Sequence, residues 1–492
     1  LLDYHARPFI FVGMTDKPIA IVWFRQDLRL HDNTALIHAI NDGFWILPVF
    51  ILDDESAGLW KRGGAQRWWL HQSLQSLNHA LKDKLVMRRG PADQVLTELI
   101  KTSGAKAVFW NRCYEPWRIA RDKKIKEQLQ QSGITSQSFK DALLWEPWEV
   151  AKEDGTPYKV FTPYYRRGCL SAQEPSQPVQ TPKSMALAEF ESRGKIEDLD
   201  LLPQITWYKS FEPEWEPGES GAQKRFEIFL KEGLSDYKEG RNRPDWRKVS
   251  RLSPHLHHGE ISIRQVWHTA RAYGIANRLE KDMDHFCSEL GWREFSYSLL
   301  YYNQDLPREP LQKRFKDFPW DDVDPAVLSS WQKGQTGIPI VDAGMRELWQ
   351  TGWMHNRVRM IVASLLVKNM LLHWHHGEEW FWDCLLDADL ANNSASWQWV
   401  SGCGADAAPY FRVFNPVTQG EKFDPDGSYV RRYVPELADM PREYIHQPWT
   451  ASPLILKAAG VTLGSTYPHP IVDLKETRQK ALDAFAQIRQ AA

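Results

Sequence analysis

The chain has 492 residues, 42% hydrophobic and 25% charged, with a formal net charge of −2. That length suits two or three domains with sizeable cores, and the charge excludes a protein that is basic throughout while leaving room for a local basic patch. No apolar run reaches the ~18 residues of a membrane span, so no membrane partner is expected.

The five cysteines are scattered and form no CxxC, which indicates neither a zinc site nor a disulfide framework. A reduced, cytoplasmic compartment is the expectation. The N-terminal LLDYHARPFIFVGMTDKP lacks a basic region followed by a long apolar core and does not read as a signal peptide. Residues 1–17 read as an upstream extension or an artificial remnant, with Met14 a candidate natural start.

IAIVWF (Ile19–Phe24) is a short apolar run that reads as a buried parallel strand. Asn33 is placed to cap a helix over TALIHAI. FWILPVFIL (Phe44–Leu52) reads as a second strand, and the following segment sets Leu70, Leu74, Leu77 and Leu81 at helical spacing. LVMR is a strand, PADQVLTELIKTSG a helix with Pro91 near its start and Gly104 past its end, and AKAVFW a further strand. This βαβαβ rhythm over residues 18–150 predicts an α/β domain built on a doubly wound, Rossmann-like parallel sheet. No GxGxxG follows the first strand, so a dinucleotide fingerprint is absent.

Residues 151–220 are rich in Pro, Gly, Ser and Glu and read as a connector running over the surface. Residues 221–492 carry helical patterns over 222–232, 262–273, 281–302, 341–373 and 474–490, without convincing strands, and predict a mostly α-helical domain.

Several stretches in this second half carry chemistry. The 24 tryptophans suit large aromatic cores, stacking on planar ligands, or electron transfer through rings. In CSELGWREFSYSLL, Glu289, Trp292 and Arg293 share a helical face, either as an ordinary Glu–Arg pair or as a carboxylate and indole facing an aromatic ligand. In GWMHNRVRM, Asn356 and Met360 are four residues apart on one face, and Arg359, if buried, needs an acidic partner. DADLANNSASWQW concentrates carboxylates, amides and two tryptophans between apolar segments; Asp387 is the candidate partner of Arg359. Trp397 and Trp399, two residues apart, point opposite ways on a helix or a strand. SRLSPHLHHGEIS offers Ser250 and Ser253 either as helix caps or as donors to a phosphate. GRNRPDWRK and REPLQKRFK are basic stretches that read as solvated faces or as DNA contacts.

From Ile19 to about Leu437 the chain resembles the photolyase/cryptochrome family. The resemblance rests on VWFRQDLRLHDN, SRLSPHLHHGEIS, ELGWREF, GIPIVDAGMRELWQTGWMHNRVRMIVASLLVK and DADLANNSASWQW…DAAPYFRVFNPVTQGEKFDPDG. It implies an antenna chromophore in the α/β domain and FAD in the helical domain. It also implies light-driven repair of cyclobutane pyrimidine dimers in UV-damaged DNA, by electron transfer from reduced FAD to a flipped-out dimer. The alternative within the family is a cryptochrome-type blue-light photoreceptor.

Residue by residue, the resemblance assigns Tyr237, Ser250, Leu252, Ser253, Arg293, Arg359, Asp387, Asp389 and Asn393 to FAD binding, with Val249 replacing a hydroxyl common there. It assigns Glu289, Trp292, Asn356, Met360 and Trp399 to the dimer pocket. Arg357 and Arg412 fall near the damaged strand's phosphates, and Trp397, Trp374 and Trp320 form the electron-transfer chain that photoreduces FAD. A photolyase for six-four photoproducts is expected to carry His at the Asn356 and Met360 positions, and a plant-type cryptochrome Asp at the Asn393 position and a long tail. The chain is most similar to the bacterial class III dimer photolyases, which points to methenyltetrahydrofolate as antenna, with Glu115 and LLWEPWEV (Leu143–Val150) as antenna contacts or as packing. A monomer in the bacterial cytoplasm, on the nucleoid when bound to DNA, is the corresponding expectation.

Overall fold

The computed structural model describes residues 17–180, 184–407 and 411–490. The extension before Lys17, with Met14, and Ala408–Tyr410 of the last motif lie outside the described residues.

Five parallel strands, β1 (Ile19–Phe24), β2 (Trp45–Leu52), β3 (Val86–Arg89), β4 (Ala107–Asn111) and β5 (Thr135–Phe139), form one sheet in the order β3-β2-β1-β4-β5. Ile21 pairs with Leu47 on one side and Val108 on the other. Alternation divides β1 between two cores: Ala20, Val22 and Phe24 face α1 (Thr34–Asn41) and α2 (Gly64–Ala80). Ile21 and Trp23 face α3 (Ala92–Ser103) and α4 (Pro116–Gln131). Helices on both faces bury both sides of the inner strands, hence their unbroken apolar runs. The Asn33 side chain accepts from Leu36 N, and Gly104, at φ 70°, ends α3, both at the expected positions. β5 and α4 extend the expected rhythm by one unit. TSQSF is polar because β5 is the sheet edge, where no neighbour demands apolar side chains.

The connector does not simply cross the surface. Phe161, Tyr164, Tyr165 and Cys169 are buried in the helical core, and Leu187 bridges to Ile46 beside the sheet. Aromatic residues inside a Pro- and Gly-rich stretch are anchors, and burying them outweighs the loop-like composition around them.

The helical part is built on α5 (Glu219–Ile228), α6 (Ile263–Ala276), α7 (Glu280–Tyr302), α8 (Pro339–Thr351), α9 (Asn356–Ser364), α10 (Trp374–Cys384), α11 (Leu390–Ser401) and α12 (Leu474–Gln490). The helical pattern over 341–373 is therefore broken. Gly352 takes φ 67° and ends α8; His355 then caps α9, its ring nitrogen accepting from Arg357 N at 3.2 Å. Burial and the nearby Arg357, Arg241 and Arg359 hold the His355 ring down at about 3, so it stays neutral and able to accept. The break puts Asn356 exposed in the first turn of α9 rather than midway along a rod.

A buried polar seam joins the two parts. Arg264 on α6 binds Asp32 at 2.7 Å and Asp141 at 3.2 Å, Arg29 binds Asp141 at 2.5 Å, and Arg29 also donates to Gly259 O at 3.1 Å. Gly259 sits at φ 68°, and a Cβ there would lie 2.0 Å from Gln26 O, so only glycine allows this approach. VWFRQDLRLHDN thus clamps the Ser250–Ser262 segment in place.

Candidate functional site

Helices α7, α9, α10 and α11 pack around one polar interior. Asp389 caps α11, its carboxylate accepting from Asn392 N at 2.8 Å and from the Tyr297 hydroxyl at 2.5 Å. Burial alone would raise this carboxyl. The His257 ring, 3.7 Å away and beyond hydrogen-bond reach, and the two closer donors reverse that, and Asp389 stays ionised with a pKa of about 2. DADLANNSASWQW is thus the entry and first turns of a buried helix.

Asp387, just before that cap, takes two hydrogen bonds from Arg359 on α9, at 2.8 and 3.1 Å. Asn393, one turn into α11, donates from Nδ2 to the Glu378 carbonyl at 3.0 Å, which leaves its Oδ1 as the free acceptor. The Glu378 carboxyl is buried, takes a hydrogen bond from Ser394 at 2.5 Å, and is pushed by burial up to about 8. Tyr237 and Leu252 are buried in the aromatic core that also holds Phe286 and Leu390. Ser250 accepts from Leu252 N at 3.4 Å, and Ser253 accepts from Trp353 Nε1 at 3.2 Å. Arg293 is held by Glu294 at 2.9 Å, and Glu294 in turn accepts from Leu144 N and Trp145 N. A donor–acceptor pair, an amide, two hydroxyls and a fixed guanidinium fit the polar edge and diphosphate of a flavin dinucleotide.

A second cluster opens beside the first. Glu289 and Trp292 lie on α7, Asn356, Arg357 and Met360 on α9, and Trp399 on α11. Glu289 does not pair with Arg293, which excludes the ordinary i,i+4 reading. It accepts instead from Arg241 Nη2 at 2.7 Å. Burial raises the Glu289 carboxyl against the pull of Arg241 and Arg357. Arg357 donates to Asn242 Oδ1 at 2.5 Å and approaches Met360 Sδ at 3.6 Å. Arg412 is exposed and near enough for its charge to bear on Arg357.

Trp292 and Trp399 present half-buried rings, whereas Trp397 is buried against Phe381 at 5.0 Å, so the two tryptophans of SWQW do diverge. A Cβ at Gly377 would lie 2.0 Å from the Trp397 ring, so glycine is what lets α10 approach it. Trp374, three residues before Gly377, is buried; Trp320 lies half-buried further out. His373 stands between them, 5.5 Å from Trp374 and 5.2 Å from Trp320 by ring centroid.

Arg241, His373 and Phe161, which stacks on Trp292 at 3.7 Å, were not singled out from sequence. Arg241 sits in GRNRPDWRK, where the basic character was visible but its partner, 48 residues on, was not. Glu115 is buried beside Arg118 at 3.2 Å. Within LLWEPWEV, Leu143, Leu144, Trp145 and Val150 pack into the helical core while Trp148 is exposed beside Tyr301. A cleft beside β1 and β2 is lined by Trp23, Asp53, Arg62, Trp117, Arg118 and Arg121, among others.

Residues 20–183 match the family model for DNA photolyase, and residues 286–487 match that for the FAD binding domain of DNA photolyase. Fold and family models together define a flavoprotein with a parallel α/β domain followed by a helical FAD-binding domain. The chain belongs to the photolyase/cryptochrome family. It is 46% identical to a deoxyribodipyrimidine photo-lyase of Agrobacterium fabrum, over 96% of this chain and 98% of that one. It is 38% identical to cryptochrome-1 of Arabidopsis thaliana, over 96% of this chain and 70% of that protein. The crystal structure of a bacterial class III photolyase from Agrobacterium tumefaciens superposes with a TM-score of 0.93 at 45% identity, covering 98% of this chain and all of that one. Among the described residues, no helix is long and apolar enough to cross a membrane.

Proposed function

We infer that the protein repairs cyclobutane pyrimidine dimers in UV-damaged DNA, driven by blue or near-UV light. The observation that carries this reading is the cluster of Glu289, Trp292, Asn356, Met360 and Trp399 beside the polar interior formed by Arg359, Asp387 and Asn393.

Bound in that interior, reduced FAD supplies the light-excited electron donor. Arg359 and Asp387 would hold its polar edge as a donor–acceptor pair, and the Asn393 amide oxygen would be the acceptor facing its ring edge. Tyr237, Leu252 and Asp389 would complete the lining, and Ser250, Ser253 and Arg293 would hold the diphosphate. Trp292 and Trp399 stack on a dimer flipped from the duplex, which costs less to extrude than a normally paired and stacked step. Glu289 and Asn356 hydrogen-bond its carbonyl and imide edges. Burial raises the Glu289 carboxyl, and its protonated form would donate to the dimer carbonyl on which charge develops, where a hydrogen bond lowers the barrier. Met360 fills the remaining apolar wall. Arg357 and Arg412 meet phosphates and fix register without reading sequence. Trp397, Trp374 and Trp320 would form the route by which electrons reach bound FAD from the surface.

Methenyltetrahydrofolate is the proposed antenna. The Arg- and Trp-lined cleft at the carboxyl ends of β1 and β2 suits an anionic planar ligand; the surface around Trp148 and Tyr301 is the other candidate. An absorption spectrum with chromophore extraction distinguishes a folate from a flavin. The working form is a monomer acting in the cytoplasm on the nucleoid.

Illumination of the reduced protein with dimer-containing DNA tests the repair reading. Intact thymines should reappear, and their absence in flavin-loaded protein sinks it. The similarity to a plant cryptochrome supports a photoreceptor as the second reading. Light-dependent binding of a protein partner without repair favours that one.

A further inference from the structure

Trp292 and Trp399 come from different helices, yet Asp406 holds one indole and lies beside the residue that backs the other. The Trp399 indole donates from Nε1 to the Asp406 carbonyl at 3.2 Å. The Asp406 carboxylate lies near enough to the backbone N–H of Phe161 for that dipole to pull its pKa down against burial. The Phe161 ring lies flat on Trp292, with centroids 3.7 Å apart and planes 11° apart. Tyr165 continues the stack behind Phe161 at 5.7 Å and 7°. Phe161 is only 8% exposed while Trp292 is half-buried, so Phe161 covers the inner face of the indole and the outer face remains for a ligand.

Both ends of this link are rigid. The loop after α11 is pinned by Gln312, which donates to Gly402 O at 3.2 Å and Gly404 O at 3.0 Å, and by Gly404 N bonding back to Gln398 O at 3.0 Å. Asp406 itself takes φ 57°, a conformation that Asp tolerates better than most residues and that turns its carbonyl toward Trp399 and its carboxylate toward Phe161. On the other side, a Cβ at Gly291 would lie 2.4 Å from Tyr165 Cδ2, so α7 seats directly on the aromatic stack.

We propose that Asp406 and Phe161 are positioning residues, which set the gap and the ring planes of the two indoles that sandwich the flipped dimer. This rests on the repair reading above. Neither residue touches the substrate. Their effect is on selectivity: a fixed gap suits the rigid, joined pyrimidines and rejects two separate bases that stack better in the duplex. The 151–220 segment thereby joins the substrate site instead of serving only as a link between domains.

The test compares affinity for dimer-containing and undamaged DNA, using flavin-loaded Phe161→Leu and Asp406→Gly, with Phe161→Tyr and Asp406→Asn as conservative partners. Glycine keeps the positive φ and removes the carboxylate; asparagine keeps the φ and one acceptor. F161L and D406G should each lose about 3- to 10-fold in the preference for dimer DNA, the scale of one aromatic contact or one hydrogen bond. Undamaged-DNA affinity and flavin content should stay unchanged. F161Y and D406N should retain most of the preference, and the F161L/D406G double variant should lose less than the sum, because both act through one unit. Unchanged preference in F161L and D406G overturns the proposal. So does loss of flavin, or equal loss on both DNAs, in both of them, which would mark the link as scaffold only. Wild-type protein with no preference for dimer DNA fails the repair reading itself, a separate outcome.

Discussion

Arg359 on α9 and Asp387 ahead of α11 are joined by two hydrogen bonds, 2.8 and 3.1 Å, across the polar interior. Asp387 is nearly buried, with 4% of its side chain exposed, whereas Arg359 keeps 25%. Removing one partner leaves the other charge without compensation in a poorly solvated place, at a cost of about 3–5 kcal/mol when burial is complete and less here. Asp387→Asn and Arg359→Ala should therefore lose most of their FAD on purification and melt several degrees lower. Flavin absorbance per protein and a thermal melt check this; full flavin occupancy in both would remove the pair from the cofactor site.

Glu289 offers a pH test. Burial raises its carboxyl, so the neutral, hydrogen-donating form persists further up the pH scale than for an exposed glutamate. Repair yield by reduced enzyme should be highest on the acid side and fall as pH rises through that raised value. Glu289→Gln keeps a donor and should flatten the profile, while Glu289→Ala should lower yield about 3- to 10-fold with FAD retained. Loss of FAD in the alanine variant would instead make Glu289 structural.

The division between legible and hidden features follows from range. Periodicity and caps located β1 to β4, and the spacing of Glu289, Trp292 and Arg293 placed them on one helix, because those signals are local. Partner choice is not local. Glu289 selects Arg241 from a loop 48 residues away instead of Arg293, and nothing at i,i+4 could reveal that. The apolar pattern over 341–373 continued through Gly352 because both α8 and α9 bury a face in the same core; the break is visible only as one glycine with left-handed backbone. Phe161 was hidden by its neighbours' composition. The roles of the site residues came through family likeness, while the geometry supplies their partners.

The tryptophan chain makes a separable prediction. Trp397→Phe should block photoreduction of oxidised flavin, because an electron must come from the ring nearest the cofactor, yet repair by chemically reduced enzyme should persist. Trp320→Phe, at the rim, should slow photoreduction less. His373, held down at about 4 chiefly by burial, is neutral between Trp374 and Trp320. His373→Leu should keep flavin content and lower the photoreduction rate at neutral pH. Transient absorption after a flash reads each step, and unaltered photoreduction in Trp397→Phe would refute the chain.

Glu378 carries the last prediction. Its carboxyl is buried next to Asn393 and Trp397's helix, with Ser394 as its hydrogen-bond donor, and burial pushes it up to about 8. The folded state thus holds a proton that the unfolded chain releases near the ordinary glutamate value of about 4.5. Its stabilising share is full below pH ~4.5 and is lost progressively as pH rises through about 8. Glu378→Gln removes that titration while keeping shape. Wild type and variant should therefore be close in stability near pH 4.5, and the variant should gain with rising pH. The gain should level off above about pH 8, on the order of 3–5 kcal/mol for a shift of this size. Thermal melts across that range, taken as differences between the two proteins, cancel the other titrating groups. A flat difference with pH would mean that Glu378 is ionised in the folded protein and that its charge is balanced by a group other than Ser394.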